Sequence, residues 1–156
     1  MFAPNLAHQI FAVWLLIQLA IQVDDLGIGD VFVAPVDVVI GGFKTYQPDL
    51  LFVSNMRHHI FDGHGIAGAP DVVVEILSDS TRRRDLNGKL PVYAANDVRE
   101  VWIVDLEAAT VSIHASYGTG LTPVRVFTAQ DILVSDMMPG VSVDLGPIFA
   151  RAQATP

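Results

Sequence analysis

The feature that most constrains the fold is a run of six residues, 72–77, that is apolar except at Glu75. A continuously apolar run of this length is typical of a strand that is buried on both faces near the centre of a sheet. A second apolar run, residues 101–104, follows a segment that predicts a helix starting at Pro91, because proline suits the first helical position. Strand, helix and strand in this order predict a right-handed parallel crossover.

Shorter β-rich runs indicate further strands around this unit, and polar, glycine-rich segments separate them. Gly41-Gly42 predicts a hairpin turn. The polar, basic segment 78–88 predicts a loop or a frayed helix start, and the histidine- and glycine-containing segment 54–70 predicts a surface loop. The other predicted elements are strands at residues 31–33, 36–40, 50–53, 111–114 and 124–127, a hairpin turn at 117–120 and a helix at 145–152. Without repeats or linkers, residues 1–156 are expected to form one α/β domain.

The first part of the chain is unusually free of charge. No charged side chain occurs before Asp24, the first basic residue is Lys44, and residues 10–23 are apolar except for Gln18 and Gln22. A secretory signal would open with basic residues, and a membrane span needs about 20 predominantly apolar residues. We therefore expect a helix that is buried on most of its surface, partly by a second subunit, in a cytoplasmic homodimer that does not bind membranes. Sheet edges are expected to contribute to the same interface. The alternative is a membrane-associated helix in this part of the chain.

The overall charge limits how the protein could bind nucleic acid. Nine basic and seventeen acidic residues give a net charge of −8, and there is no cysteine. The lack of cysteine excludes disulfides, thiolate metal sites and a cysteine nucleophile. Binding to nucleic acid by bulk charge is disfavoured, so that any such binding needs a local basic patch. Arg82, Arg83 and Arg84 could hold a phosphate backbone, or they could form a solvated turn.

Two carboxylates and a lysine could form a catalytic site. Glu75 lies inside the most apolar run, where a carboxylate is costly unless it meets a cation, a metal or several donors. Asp49 opens the strand at 50–53, and Lys89 precedes Pro91. Oxygen ligands suit Mg²⁺, and an ammonium can orient water and offset charge on phosphorus. The alternative is a structural ion pair at Glu75 and a turn cap at Asp49.

Histidines and further acidic residues give weaker signals. His58, His59 and His64 could bind a transition metal, but a solvated loop fits their spacing better. His8 could approach the site, although a histidine packed in the subunit interface is the simpler expectation. Three aspartates could support the site. Asp85 could brace Lys89, and the other two could act from strand ends. The alternative for all three is that they cap turns. They are Asp71, Asp85 and Asp105.

Four segments carry a resemblance to a known family. They are YQPDLLFV (46–53), GAPDVVVEILS (68–78), DLNGKLPVYA (85–94) and REVWIVDL (99–106). In this order they resemble the Uma-two family of restriction-endonuclease-like proteins, within the PD-(D/E)XK nuclease superfamily. The resemblance extends from about residue 8 to residue 149.

The resemblance implies a restriction-endonuclease-like fold, with a central mixed β-sheet flanked by helices, and a site that cleaves DNA with Mg²⁺ or Mn²⁺. By the same resemblance, Asp49 and Glu75 match the two acidic positions, and the carbonyl of Ile76 is a further metal ligand. Leu77 stands where the motif would have its lysine, and Lys89 on the following helix is the matching residue.

Relatives usually have an earlier segment with a Tyr-Glu pair and a Gly-Glu turn, which adds an acidic residue and a strand. The chain is expected to lack that segment. Two functions therefore stay open. One is a metal-dependent endonuclease, and the other is a catalytically inactive nuclease-fold protein that acts as a binding or assembly module.

Overall fold

The protein is built of eleven short strands and three helices in the part of the chain that the structure covers. The structure, a computed structural model, describes residues 5–42, 44–77, 79–116 and 120–156, without the side chains of residues 80–82. The strands are β1 (Gly29–Val33), β2 (Val38–Ile40), β3 (Lys44–Tyr46), β4 (Leu50–Ser54), β5 (Ile66–Ala67), β6 (Val72–Leu77), β7 (Glu100–Asp105), β8 (Thr110–Ser116), β9 (Leu121–Thr128), β10 (Ile132–Val134) and β11 (Ser142–Asp144). The helices are α1 (Leu6–Leu26), α2 (Ser80–Ala95) and α3 (Leu145–Gln153), with a 3₁₀ helix at Asn55–Ile60.

A six-stranded mixed sheet forms the centre of the molecule. Its spatial order is β1-β4-β6-β7-β8-β9. β6 and β7 run parallel, whereas the other neighbouring pairs run antiparallel. Every residue of β6 is buried, as its apolar run predicts for a strand with neighbours on both sides and a layer on each face. The predicted fold, an α/β protein with a central mixed sheet flanked by helices, is therefore confirmed.

Two apolar layers cover the sheet. α1, α3 and the β10–β11 hairpin pack on one face, where Val72, Val74 and Ile76 point. α2 and the small sheet β3-β2-β5 pack on the other face, where Val73 points. Since side chains alternate along a strand, Glu75 points to the same face as Val73, toward α2. The turn predicted at Gly41-Gly42 is followed by β3, a strand that was not predicted, and β2 pairs with β3. The predicted strand at 50–53 pairs instead with β1 and β6 in the large sheet. β8 and β9 also pair, but residues 117–119 of the predicted turn lie outside the described residues.

The predicted start of α2 at Pro91 is wrong. The helix begins at Ser80, and Pro91 lies inside it. Buried Leu86 and Tyr93 and partly buried Leu90 follow the spacing of one helix face, which packs on the sheet. Arginine and leucine are good helix formers, so the polar segment before Pro91 extends the helix once that face is buried. Consequently Arg83, Arg84 and Asp85 lie on a helix and not in a loop.

The segment 54–70 is also more ordered than the predicted surface loop. It contains the 3₁₀ helix and the short strand β5. Ile60 and Ile66 belong to the core on the α2 side, and Arg57 is buried.

α1 is capped at both ends. Asn5 precedes it and accepts a hydrogen bond from the His8 N–H through its side chain, and Gly27 follows it with a positive φ of 64°. By length and composition it could cross a membrane, a criterion that core helices and signal sequences also meet, and 33% of its most apolar window is buried. Phe11, Leu15 and Leu19 pack into the core.

Candidate active site

Glu75 is the centre of a polar cluster between β6 and α2. The residue is 6% exposed. Its Oε1 accepts a hydrogen bond of 3.2 Å from Lys89 Nζ and one of 2.8 Å from the Tyr93 hydroxyl. Lys89 and Tyr93 lie four residues apart on α2, one turn of the helix, so they approach the same oxygen from one helix face. The crossover helix therefore brings both donors to the central strand.

Asp49 lies at the start of β4, beside the end of β6. Its Oδ2 accepts a 2.7 Å hydrogen bond from the N–H of Ile76, and its Oδ1 lies 3.1 Å from Nε2 of His8. Because Leu50 pairs with Val74 in the antiparallel register, Asp49 comes next to Glu75. The N–H and C=O of a strand residue point to the same edge, so the Ile76 carbonyl also faces the side of β6 on which Asp49 lies.

The two carboxylates influence each other electrostatically. Burial raises the pKa of Glu75 above its ordinary value; the ammonium of Lys89 opposes this rise, and the negative charge of Asp49 reinforces it. Burial and the adjacent Glu75 carboxylate also raise the pKa of Tyr93, so its hydroxyl remains a donor. The site thus holds two neighbouring carboxylates with one ammonium, a charge distribution that a bound cation would relieve.

The donor set fits a hard divalent cation. Mg²⁺ commonly takes one or two carboxylates and completes its coordination with water, and carbonyl oxygens are suitable additional ligands. Asp49 and Glu75 supply the carboxylates, and the Ile76 carbonyl faces the same side. Among the residues that the structure describes, no group of three His, Asp or Glu side chains is arranged to hold a metal. A metal here would therefore depend on two carboxylates, backbone oxygen and water.

The three consecutive arginines, residues 82–84, are only partly available to bind a ligand. Arg83 forms an ion pair with Asp105 at the end of β7. This pairing raises the pKa of Arg83. Arg84 is exposed, whereas the side chain of Arg82 lies outside the described residues.

The supporting roles considered for Asp85 and Asp105 do not match their surroundings. Asp85 is exposed, and the structure gives no contact between it and Lys89. Asp105 accepts the N–H of Ala108 and pairs with Arg83, so it acts as a cap and an ion-pair partner.

Asp71 lies at the opposite end of β6 from the cluster and takes part in a separate ion-pair network. Its side chain is 2% exposed, accepts the N–H of Ser54 at 2.7 Å, and lies 3.5 Å from Arg57 Nε. Arg99 approaches the same carboxylate at 3.7 Å. Of the two predictions for Asp71, these contacts support the structural one, in which its carboxylate accepts a backbone N–H group.

The loop histidines do not converge. His58 Nε2 lies 2.9 Å from Asp30 Oδ2, and His59 is exposed. His64, whose backbone N–H is bound by Asp62, is part of a turn. The three side chains therefore do not form a transition-metal site. They are solvated as predicted in the case of His58 and His59, but these two lie on the exposed side of the 3₁₀ helix and not in a loop.

Sequence reasoning missed two of the residues that build the cluster and its surroundings. Tyr93 received no role, although its position four residues after Lys89 places it on the same helix face. Arg57, buried between Asp71 and Asp97, had no signal, because nothing in the segment 54–70 distinguishes it from a surface arginine. His8 contacts Asp49, which was the less favoured of its two interpretations.

Comparison with known proteins agrees with this fold. The crystal structure of "a putative nuclease belonging to DUF820 from Anabaena variabilis" superposes with a TM-score of 0.79 at 16% sequence identity, covering 97% of this chain and 84% of that chain. At this identity the likeness supports the fold alone. A search of the curated proteins finds no match. The family model Uma2, described as "Putative restriction endonuclease", matches residues 1–146. The chain therefore belongs to the Uma2 family of restriction-endonuclease-like proteins.

Proposed function

We propose that the protein is a metal-dependent endonuclease that hydrolyses phosphodiester bonds in DNA. The observation that carries the proposal is the buried Glu75 of the central strand, which has the Asp49 carboxylate on one side and the Lys89 ammonium 3.2 Å away on the other. Buried carboxylates next to each other are unfavourable for the fold alone, and such groups concentrate at functional sites. Membership of the Uma2 family supports a nuclease in coarser terms.

Asp49, Glu75 and the carbonyl of Ile76 would hold Mg²⁺ or Mn²⁺. When bound, the cation supplies Lewis-acid polarisation of the phosphoryl oxygen and a more acidic water. The Tyr93 hydroxyl and Lys89 both donate to Glu75 Oε1, which fixes the rotamer of this carboxylate. Asp49 is oriented in the same way by the Ile76 N–H. Oriented ligands bind metal more tightly than free ones, since their positions need no further ordering.

Lys89 would act on the attacking water and the scissile phosphate. Its Nζ is half-buried beside Glu75, at the end of the cluster nearest the surface. An ammonium there can orient the water by hydrogen bonding and offset the negative charge that develops on the phosphoryl oxygens. Lys89 therefore has two roles, as donor to Glu75 and as the positive group nearest the reaction.

Binding of DNA would rely on local positive charge. With a net charge of −8 the protein as a whole repels a polyanion. The exposed Arg84, together with Arg82 and with Arg83 when it leaves Asp105, would contact the phosphate backbone on the α2 side of the site. A cytoplasmic location, away from membranes, remains a prediction that fits this substrate.

A second candidate is a nuclease-fold protein without catalysis that acts as a binding or assembly module. It is favoured by one observation: both oxygens of Asp49 already have partners, Oδ1 at His8 and Oδ2 at the Ile76 N–H. In that case the cluster is an internal polar network, and neither metal binding nor cleavage follows.

The experiment compares three proteins: wild type, Glu75→Gln and Glu107→Gln. Glu107 is exposed and outside the Glu75 cluster, so its variant removes the same charge without changing Asp49, Glu75 or Lys89. It removes a negative charge near Arg83, which does not weaken the proposed contact with phosphate. Calorimetric titration with Mn²⁺ and nicking of supercoiled plasmid with Mg²⁺ or Mn²⁺ are measured on each. We expect Glu75→Gln to lose metal binding and to reduce cleavage by about 10³-fold, equivalent to about 4 kcal/mol of transition-state stabilisation, while Glu107→Gln behaves as wild type.

Two outcomes would contradict the proposal. Equal cleavage by wild type and Glu75→Gln would place the chemistry elsewhere. Absence of both Mn²⁺ binding and cleavage in the folded wild-type protein, with DNA binding retained, would favour the non-catalytic module.

A further inference from the structure

α1 is apolar on two opposite faces. One face packs into the core through Phe11, Leu15 and Leu19. The opposite face is open: Leu6 is 64%, Val13 46%, Ile17 36% and Ile21 59% exposed. These four positions are separated by seven, four and four residues, so they share one stripe along the helix, which we call the outer stripe; Ile10, partly exposed, lies between the first two. A helix that is apolar on all sides is normally a buried helix.

We propose that the outer stripe packs against the outer stripe of a second copy of the chain, in an antiparallel pair of α1 helices related by a two-fold axis. The spacing of residues 6, 10, 13 and 17 alternates between four and three. This is the spacing found in helices that pair by knobs-into-holes packing. In an antiparallel pair centred near Val13, Leu6 faces Ile21 of the other copy. Both copies then use the same surface, as a two-fold interface requires.

The charges around the outer stripe favour protein over lipid as the occupant. Helices that lie on membranes carry Lys or Arg beside their apolar face. α1 contains neither, and the first basic residue of the chain is Lys44. The uncharged side chains of Gln9 and Gln18 flank the stripe instead. With a net charge of −8, the protein would also be repelled by an anionic bilayer.

The ends of the helix favour the antiparallel arrangement. Asp24 and Asp25 lie in the last turn, where the negative end of the helix dipole disfavours them, and no basic side chain is present there to compensate. The first turn has no acidic side chain. Antiparallel packing brings these two aspartates close to the start of the other helix, whose dipole is positive. Parallel packing would place four carboxylates together.

The size of the outer stripe predicts a dimer of moderate affinity. From Leu6 to Ile21 the helix rises about 22 Å, at about 1.5 Å per residue. A contact of this length between two helices is smaller than a standard interface of about 800 Å² per partner. We therefore expect a dissociation constant on the order of micromolar, and a folded monomer at low concentration.

The chain has no cysteine, so single introduced cysteines show directly which positions of the two α1 helices lie close together. We expect Val13→Cys, near the two-fold axis, to form a disulfide-linked dimer under mild oxidation, because the Cα atoms there come within the range of a disulfide. Gln18→Cys, exposed on the flank, is the control and is expected to cross-link much more slowly. Leu6→Cys and Ile21→Cys should cross-link when mixed but not separately; the reverse result would indicate a parallel pair and overturn the proposed arrangement.

Sedimentation equilibrium tests whether the dimer exists without cross-linking. We expect wild type to approach twice its mass of 16.9 kDa as the concentration rises to about 100 μM. Val13→Glu should weaken association at least about 100-fold, because it places like charges together near the axis. Gln18→Glu adds the same charge on the flank and should have little effect. A wild-type protein that stays monomeric, or that instead binds neutral lipid vesicles through the outer stripe, would refute the proposal. Neither result depends on nuclease activity.

Discussion

The central strand β6 has a buried carboxylate toward each end, and the two have different surroundings. Asp71, just before the strand, lies 3.5 Å from Arg57 and 3.7 Å from Arg99, and it accepts the N–H of Ser54. Glu75, farther along, has one ammonium and one hydroxyl as donors, and a second carboxylate, Asp49, is its neighbour.

The difference lies in the balance of charge. Around Asp71 the charges balance, because two guanidinium groups, Arg57 and Arg99, meet two carboxylates, Asp71 and the exposed Asp97. This arrangement ties the 3₁₀ helix and the segment before β7 to the sheet. At Glu75 two carboxylates share one ammonium and His8. A buried carboxylate with its own cations stabilises a fold once formed, whereas neighbouring carboxylates with too few cations are better suited to binding a metal.

The largest effect on stability is therefore expected at Asp71. Asp71→Asn and Glu75→Gln each replace a buried carboxylate with an amide of the same shape. We expect Asp71→Asn to lower the free energy of unfolding by about 3 kcal/mol, because Arg57 and Arg99 lose their shared buried carboxylate and Arg57 keeps only the exposed Asp97 as an ion-pair partner. Glu75→Gln should change it by less than about 1 kcal/mol, because it also removes the repulsion from Asp49.

Urea unfolding without added metal, followed by circular dichroism, measures both variants. If Glu75→Gln loses as much stability as Asp71→Asn, the two ends of β6 are both structural, and the contrast between them is wrong.

Tyr93 lies at the end of β6 that is proposed to bind metal, and its substitution is expected to have an intermediate effect on stability. Tyr93→Phe removes the 2.8 Å hydrogen bond to Glu75 Oε1 and keeps the ring. We expect a loss of about 1 kcal/mol in the free energy of unfolding and about a 10-fold loss in Mn²⁺ affinity, because Glu75 is less well oriented. Calorimetric titration with Mn²⁺ measures the affinity.

Tyr46→Phe is the matched control for this prediction. The ring of Tyr46 lies 5.7 Å from that of Tyr93, but its hydroxyl does not bind Glu75. If the two variants bind Mn²⁺ equally well, the Tyr93 hydroxyl has no positioning role.

The comparison also explains how much could be predicted from sequence. The apolar run around Glu75 predicted a central strand, because only a strand covered on both faces tolerates so many apolar residues in succession. Crossover connectivity then brings Lys89 to Glu75, and the antiparallel neighbour brings Asp49. The crossover follows from local patterns and a general rule of topology. The antiparallel pairing of β4 with β6, which brings Asp49, has no local signal in the sequence.

Other contacts depend on packing that no local pattern records. His8 and Asp49 are far apart in the chain and meet only because α1 packs across the sheet. Arg57 is buried because Asp71 and three backbone carbonyls surround it, and no neighbouring residue predicts those partners. The start of α2 was misplaced because the enrichment of proline at the first helical position is a statistical preference, and packing of Leu86 and Tyr93 extends this helix toward Ser80.

The smallest effect on stability is expected at Asp105, at the end of the neighbouring strand β7. This carboxylate also has a cationic partner, Arg83, but the pair lies nearer the surface. Burial acts to raise the pKa of Asp105, but the Ala108 N–H and the Arg83 guanidinium outweigh it, so the pKa lies below the ordinary 3.8. Since the folded state binds the proton less readily than the unfolded state, the interaction stabilises the fold above pH 3.8 and is lost as the pH falls through the lowered pKa.

Asp105→Asn should therefore lower the free energy of unfolding by about 0.5 kcal/mol at pH 7, a small value because Arg83 is half exposed. Urea unfolding at several pH values should show this difference shrinking below pH 3.8; a loss at pH 7 as large as that of Asp71→Asn would mean that exposure does not separate the two carboxylates.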